Sequence, residues 1–134
     1  MGVDINTALL VLPSAGNNGY LDFDFLAYTT ESEVLAAIDL IKYKGENTNT
    51  TGGLRVARTR LFNSSYGSRP DVAHIIILLT DGIPNFDKDQ LMDEVNLIKS
   101  MNIRLIAVGV TNQVNILHKA LLDSLDYHYN EQLN

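Results

Sequence analysis

Ala73-His74-Ile75-Ile76-Ile77-Leu78-Leu79-Thr80-Asp81-Gly82 is the stretch whose reading decides the fold of this chain. Five consecutive large aliphatics make a strand too apolar to face water on either side, so it is expected inside a sheet covered on both faces. Asp81 and Gly82 follow at once, which puts a carboxylate at the carboxyl end of a buried parallel strand. In open α/β sheets that edge is where ligands bind. An Asp that merely starts a turn explains the same residue equally well from the local sequence. The flanking chain has to separate the two.

Downstream, Asp87 and Gln90 are placed to cap a helix running to about Met101, with Leu91, Val95 and Ile98 at core spacing. Asn102 sits where a left-handed residue would stop it. Residues 103–110 (IRLIAVGV) read as a second buried strand, 114–125 as a helix and 127–129 as a short last strand. Strand and helix alternate from residue 73 onward. Such alternation predicts right-handed crossovers and a mostly parallel, doubly wound α/β sheet with helices on both faces.

Upstream, residues 7–12 (TALLVL) read as a buried strand and 13–19 (PSAGNNG) as a turn rich in breakers. Residues 20–25 (YLDFDF) alternate, with Leu21, Phe23 and Phe25 on one face and Asp22 and Asp24 on the other. That pattern predicts an antiparallel edge strand, and a solvated strand face explains the two aspartates better than a catalytic pair. Thr30 and Glu33 have capping-box spacing and open a helix to about Tyr43, with Val34, Leu35, Ile38 and Ile41 on its buried side. A polar loop, KGENTNTTGG (44–53), leads to a second helix from Leu54 to about Phe62, with Leu54, Ala57 and Leu61 facing inward. A further loop, NSSYGSRPD (63–71), enters the central strand. There is no internal repeat and no low-complexity tract.

Composition removes several classes of function. The 134 residues suffice for one domain, 1–134, with a real hydrophobic core, and 46% hydrophobic against 19% charged residues is ordinary globular material. A net charge of −6 gives no support for nucleic-acid binding, and the arginines at 55, 58 and 60 are too local to change that. Cysteine is absent, which removes disulfides, thiolate metal sites and Cys nucleophiles. No apolar run approaches the roughly 20 residues that span a bilayer. Met1-Gly2-Val3-Asp4 lacks a basic start and an apolar core, so a secretion signal is expected outside this segment.

Neither G-x-G-x-x-G nor G-x-x-x-x-G-K is present for phosphate, and no G-x-S-x-G for a serine nucleophile. His74, His118 and His128 have no metal-ligand spacing and read as structural or surface residues. What remains is a set of hard oxygens: Asp81 at the strand end, with the hydroxyls of Thr48 and Thr50 in the preceding loop. One carboxylate with hydroxyls and waters suits Mg²⁺, Mn²⁺ or weakly held Ca²⁺, although so few oxygens alone bind such a cation poorly. An enzyme using Asp81 as a general base is the weakest reading, because no motif positions a second catalytic group beside it.

The runs GENTNTTGGLRVARTRLF (45–62), RPDVAHIIILLTDGIPNFD (69–87) and LIKSMNIRLIAVGV (97–110) together resemble a von Willebrand factor type A domain of the matrilin and type VI collagen kind. The resemblance extends from about residue 7 to about residue 129. It implies a Rossmann-like sheet with one antiparallel edge strand. It implies also a non-enzymatic, secreted adhesion module of the extracellular matrix, carrying a metal-ion-dependent adhesion site at the carboxyl end of the sheet. Carried over, Thr48 matches the family's metal-binding threonine and Asp81 the aspartate that closes its central site, with Thr50 in support. Mg²⁺, Mn²⁺ or Ca²⁺ would keep an open position for an acidic group of a protein partner, collagen or another matrix protein.

The chain departs from that pattern at one point. Family members begin with a buried strand ending in D-x-S-x-S and followed by a long helix, and D-x-S-x-S occurs nowhere here. Pro13, Ala15 and Asn17 occupy the only candidate positions, and PSAGNNG suits the turn between the family's second and third strands better. The first strand, the first helix and the helix after Tyr129 are therefore expected to be missing from this segment. Loss of a mid-sheet strand leaves apolar edges open, to be closed by direct pairing or by a homodimer or domain swap. The alternative function is accordingly a metal-independent assembly module that associates through exposed sheet edges. Two sequons, Asn49-Thr50-Thr51 and Asn63-Ser64-Ser65, suit an extracellular glycoprotein, and a glycan on Asn49 would obstruct the Thr48 site.

Overall fold

The computed structural model describes residues 9–11, 20–42, 49–80 and 87–109. The chain divides into two compact units, residues 1–72 with 84–88, and residues 73–83 with 89–134.

In the first unit, β1 (Leu9–Val11) pairs antiparallel with β2 (Tyr20–Phe23), in the register Leu10↔Leu21 and Val11↔Tyr20, with a bulge between Leu9 and Leu10. β2 alternates as expected: Phe23 is buried, Leu21 half-buried and Asp22 exposed. The Phe23 ring stands edge-on to Tyr28 at 5.1 Å. The carboxylate of Asp24 accepts the Leu26 N–H at 2.9 Å and turns the chain out of the strand.

Helix α1 (Glu31–Asp39) opens on the Thr30–Glu33 capping box, as the spacing predicts. It ends before the expected Tyr43. The Leu40 N–H donates to Ala37 O and the Ile41 N–H to Ile38 O, a tightening of the last turn. Asp39 at that end opposes the helix dipole, and the last turn has no basic residue. The expected buried side is not buried. No residue of α1 is inaccessible, and Leu35 and Ile38 are 54% and 42% exposed. The apolar stripe exists; nothing in its own unit covers it among the described residues.

Helix α2 (Thr50–Val56) begins four residues earlier than expected and continues as a π-helical turn, Ala57–Leu61. Asn49 is the reason, because its side chain caps the helix across Gly52 and Gly53. Leu54, Ala57 and Leu61 are buried as expected, and Arg60 is exposed. A 3₁₀ turn, Ser64–Tyr66, closes on Gly67 at φ +84°. A side chain at Gly67 would be strained and would stand 2.7 Å from Leu26 Cδ2.

In the second unit, β3 (His74–Thr80) and β4 (Ile103–Gly109) run parallel in unbroken register from His74↔Ile103 to Thr80↔Gly109. The crossover is α3 (Leu91–Ser100), which buries Leu91, Val95 and Ile98 at the predicted spacing. Its start differs from expectation: Gln90 makes no side-chain cap bond, and a 3₁₀ turn, Lys88–Gln90, leads in instead. Asn102 is left-handed at φ 58° and its N–H donates to Lys99 O at 2.8 Å, which ends the helix as predicted.

Burial along β3 alternates instead of being uniform. Leu78 and Thr80 are buried, whereas Ile75, Ile77 and Leu79 are 50%, 60% and 65% exposed. β4 follows suit, with Ile103 and Leu105 buried and Ile106 and Val108 both 41% exposed. A single crossover helix covers a single face, and α3 lies on that of Leu78, Ile103 and Leu105. The helix expected over 114–125 and the strand over 127–129 fall outside the described residues.

Candidate functional site at the start of α2

Three consecutive polar side chains are buried where α2 begins. Asn49 is 1% exposed, and Thr50 and Thr51 are both 0%. Burial of this kind is unfavourable unless each polar atom finds a partner. Asn49 Oδ1 accepts the Gly52 N–H at 2.7 Å. The Thr51 hydroxyl donates to the carbonyl of Asp87 at 2.9 Å, with Asp87 itself in the left-handed region at φ 49°. Among the described residues the Thr50 hydroxyl has no hydrogen-bond partner. An unsatisfied buried hydroxyl costs about 1–3 kcal/mol, so a fold that keeps one invites a functional explanation.

Glycine is what lets this knot form. A Cβ on Gly52 would stand 2.7 Å from Asn49 Nδ2 and 2.9 Å from its Oδ1. Sequence reasoning missed the role of Asn49. The one signal available was an Asx residue three positions before a backbone N–H, and the Gly52-Gly53 pair masked it by reading as a break.

Of the other anticipated site residues, Thr48 and Asp81 lie outside the described residues, Asp81 directly following the last residue of β3 in sequence. Thr50 is a hard oxygen donor without a partner, which fits Mg²⁺, Mn²⁺ or Ca²⁺ in kind. In number these residues do not suffice alone: Thr48, Thr50 and Asp81 offer about three oxygens where such cations take roughly six to eight, so a bound ion needs further donors. No group of three or more His, Cys, Asp or Glu side chains comes together among the described residues. His74 is half-buried at the amino end of β3, as its position in the sequence implies. Asn63 is exposed at the start of the 3₁₀ turn.

A parallel strand–helix–strand crossover, together with an antiparallel strand pair, defines a Rossmann-like α/β domain. The family model of the von Willebrand factor type A domain matches residues 11–126, and the chain belongs to that family. Among its relatives, the human collagen alpha-1(XX) chain is 32% identical over 91 residues, covering 68% of this chain and 7% of the relative. The mouse collagen alpha-5(VI) chain is 34% identical over 89 residues, covering 66% and 3%. This chain thus spans under a tenth of the length of either. Among solved structures, proximal thread matrix protein 1 from the mussel byssus, with a zinc-occupied MIDAS motif, superposes with a TM-score of 0.69 at 23% identity. That superposition covers 76% of this chain and 25% of the mussel chain, and it shows a shared fold.

Proposed function

We propose that this chain is a non-enzymatic adhesion module of an extracellular matrix that binds a protein partner, with Thr48, Thr50 and Asp81 as the site residues that resemblance to the family assigns. The observation that carries the reading is the buried, unpartnered hydroxyl of Thr50 inside the stretch that the family model matches. The family match and the zinc-occupied MIDAS motif of the mussel structure support a divalent cation, Mg²⁺ in the first place, as the bridge to an acidic group of the partner. When bound, such an ion would supply an open coordination position to a partner carboxylate. This chain's own residues contribute Thr48, Asp81 and, in support, Thr50. Further donors have to come from D-x-S-x-S residues outside this segment, from water or from the partner.

A second reading, assembly without metal through the exposed sheet, is favoured by the apolar row Ile75, Ile77 and Leu79, which the described residues leave open. Solid-phase binding to a panel of collagens, in Mg²⁺ and in EDTA, separates the two. Binding that disappears both in EDTA and in Asp81→Ala is expected. Binding untouched by either change removes the cation bridge, and no binding to any collagen counts against adhesion to that class of partner.

A further inference from the structure

The two sequons are alike in sequence and opposite in environment. Asn63 is exposed, and so are Ser64 and Ser65. It caps the 3₁₀ turn Ser64–Tyr66 through Oδ1, which accepts the Ser65 N–H at 2.9 Å. N-glycosylation uses the other atom of that amide, Nδ2, and leaves the carbonyl in place. The cap bond therefore survives modification. The surrounding backbone is closed by bonds that do not involve the side chain: Asn63 N–H to Arg60 O and Tyr66 N–H to Asn63 O, both at 3.0 Å.

Asn49 offers none of this. It is 1% exposed and is followed by two fully buried threonines, Thr50 and Thr51, and its Oδ1 holds the Gly52 N–H. Its Nδ2 lies against Gly52 so closely that one methyl carbon there would stand only 2.7 Å away. A hexosamine on Nδ2 cannot be housed without unburying residues 49–51 and losing the cap of α2.

We infer that Asn63 is the N-glycan acceptor of the folded chain and that a glycan on Asn49 is incompatible with this fold. Asn63 Nδ2 attacks the anomeric carbon of a polyprenyl-diphosphate-linked oligosaccharide. The N–C1 bond forms and the C1–O bond breaks; the lipid diphosphate leaves with the electron pair, and Nδ2 gives up one proton to a base of the transferase. Transfer takes place on the nascent chain, so the choice between sequons is enforced at folding. A chain modified at Asn63 still closes its turn, whereas one modified at Asn49 cannot bury its helix start.

The inference rests on the extracellular reading, because the oligosaccharide donor resides in the secretory lumen. Its test supplies the targeting and so stands apart from that reading. The full chain, placed behind a cleavable signal sequence, is secreted from animal cells, and its mass is measured before and after peptide-N-glycosidase. One glycan on Asn63 is expected, falling to zero in N63Q and in S65A and staying at one in T51V. A secreted molecule carrying a glycan on Asn49, or lacking one on Asn63, overturns the inference. For any variant that is not secreted, translation into microsomes reads transfer before folding. There N63Q must remove one glycan shift, and an unchanged pattern overturns the inference as well.

Discussion

Glu33 shows what one fully exposed carboxylate does through geometry alone. Its Oε2 accepts the Thr29 N–H at 3.1 Å, the Thr30 N–H at 3.0 Å and the Thr30 hydroxyl at 2.9 Å. The Glu33 N–H donates back to Thr30 Oγ1 at 3.3 Å, which completes the capping box. These donors favour the ionised form, first the Thr29 N–H and then the Thr30 hydroxyl and N–H, and they lower the pKa below its ordinary 4.5. A folded value below the unfolded one means that the stabilisation is complete above the unfolded value. It is lost as pH falls through the folded value. An NMR titration of the Glu33 side chain should show a midpoint below 4.5 that rises toward it in Thr30→Ala. An unshifted wild-type midpoint would reject the capping box. Thr30 and Glu33 were legible because a three-residue spacing carries the whole motif. The cap of α2 was not, since Asn49 sits in a run of loop-like residues and its partner is a backbone N–H. Thr48 and Asp81 stand as candidate ligands on their residue type and on resemblance to a family, because no local pattern distinguishes a ligand-edge aspartate from a turn.

Helices α1 and α3 read alike as apolar stripes at helical spacing, yet among the described residues only α3 of the two has fully buried side chains. Val95 and Ile98 of α3 are 0% exposed, while Leu97 on the same helix is 47% exposed. Ile98→Ala should cost about 2–5 kcal/mol in urea unfolding, the range for emptying a packed aliphatic site. Leu97→Ala should cost under about 1 kcal/mol. Equal losses would mean that α3 is not seated as described. In α1 the same spacing leaves Leu35 54% exposed. Periodicity states which face is apolar, and burial depends on whether the topology brings another element over it. That second condition is not written in nine residues of helix. The order and parallel pairing of β3, α3 and β4 were legible, as was the left-handed stop at Asn102, because those signals are local; the one-sided burial of β3 and the uncapped start of α3 were not.

At the scale of the molecule, the face of the β3–β4 sheet that the described residues leave open is the feature that neither local signals nor a single crossover explains. Parallel sheets are stable when both faces are covered, and α3 covers one. Ile75, Ile77 and Leu79 on β3 lie in register beside Arg104, Ile106 and Val108 on β4, and all five apolar members of that surface are 41–65% exposed. At about 100 Å² of accessible surface each they present roughly 500 Å², the size of the largest patches on monomers and over half of the ~800 Å² a standard interface buries per partner. Every copy of the chain carries the same face, so two copies that met through it would form an isologous contact. Sedimentation velocity over a range of concentrations should then show an average coefficient rising above that of the monomer. The rise should be unaffected by EDTA and abolished in Ile77→Ser. Because Ile77 is 60% exposed, that substitution removes the contact without emptying the core. A wild-type monomer at every concentration, or an Ile77→Ser chain that associates as readily, would leave the cation-dependent site as the way this module engages a partner.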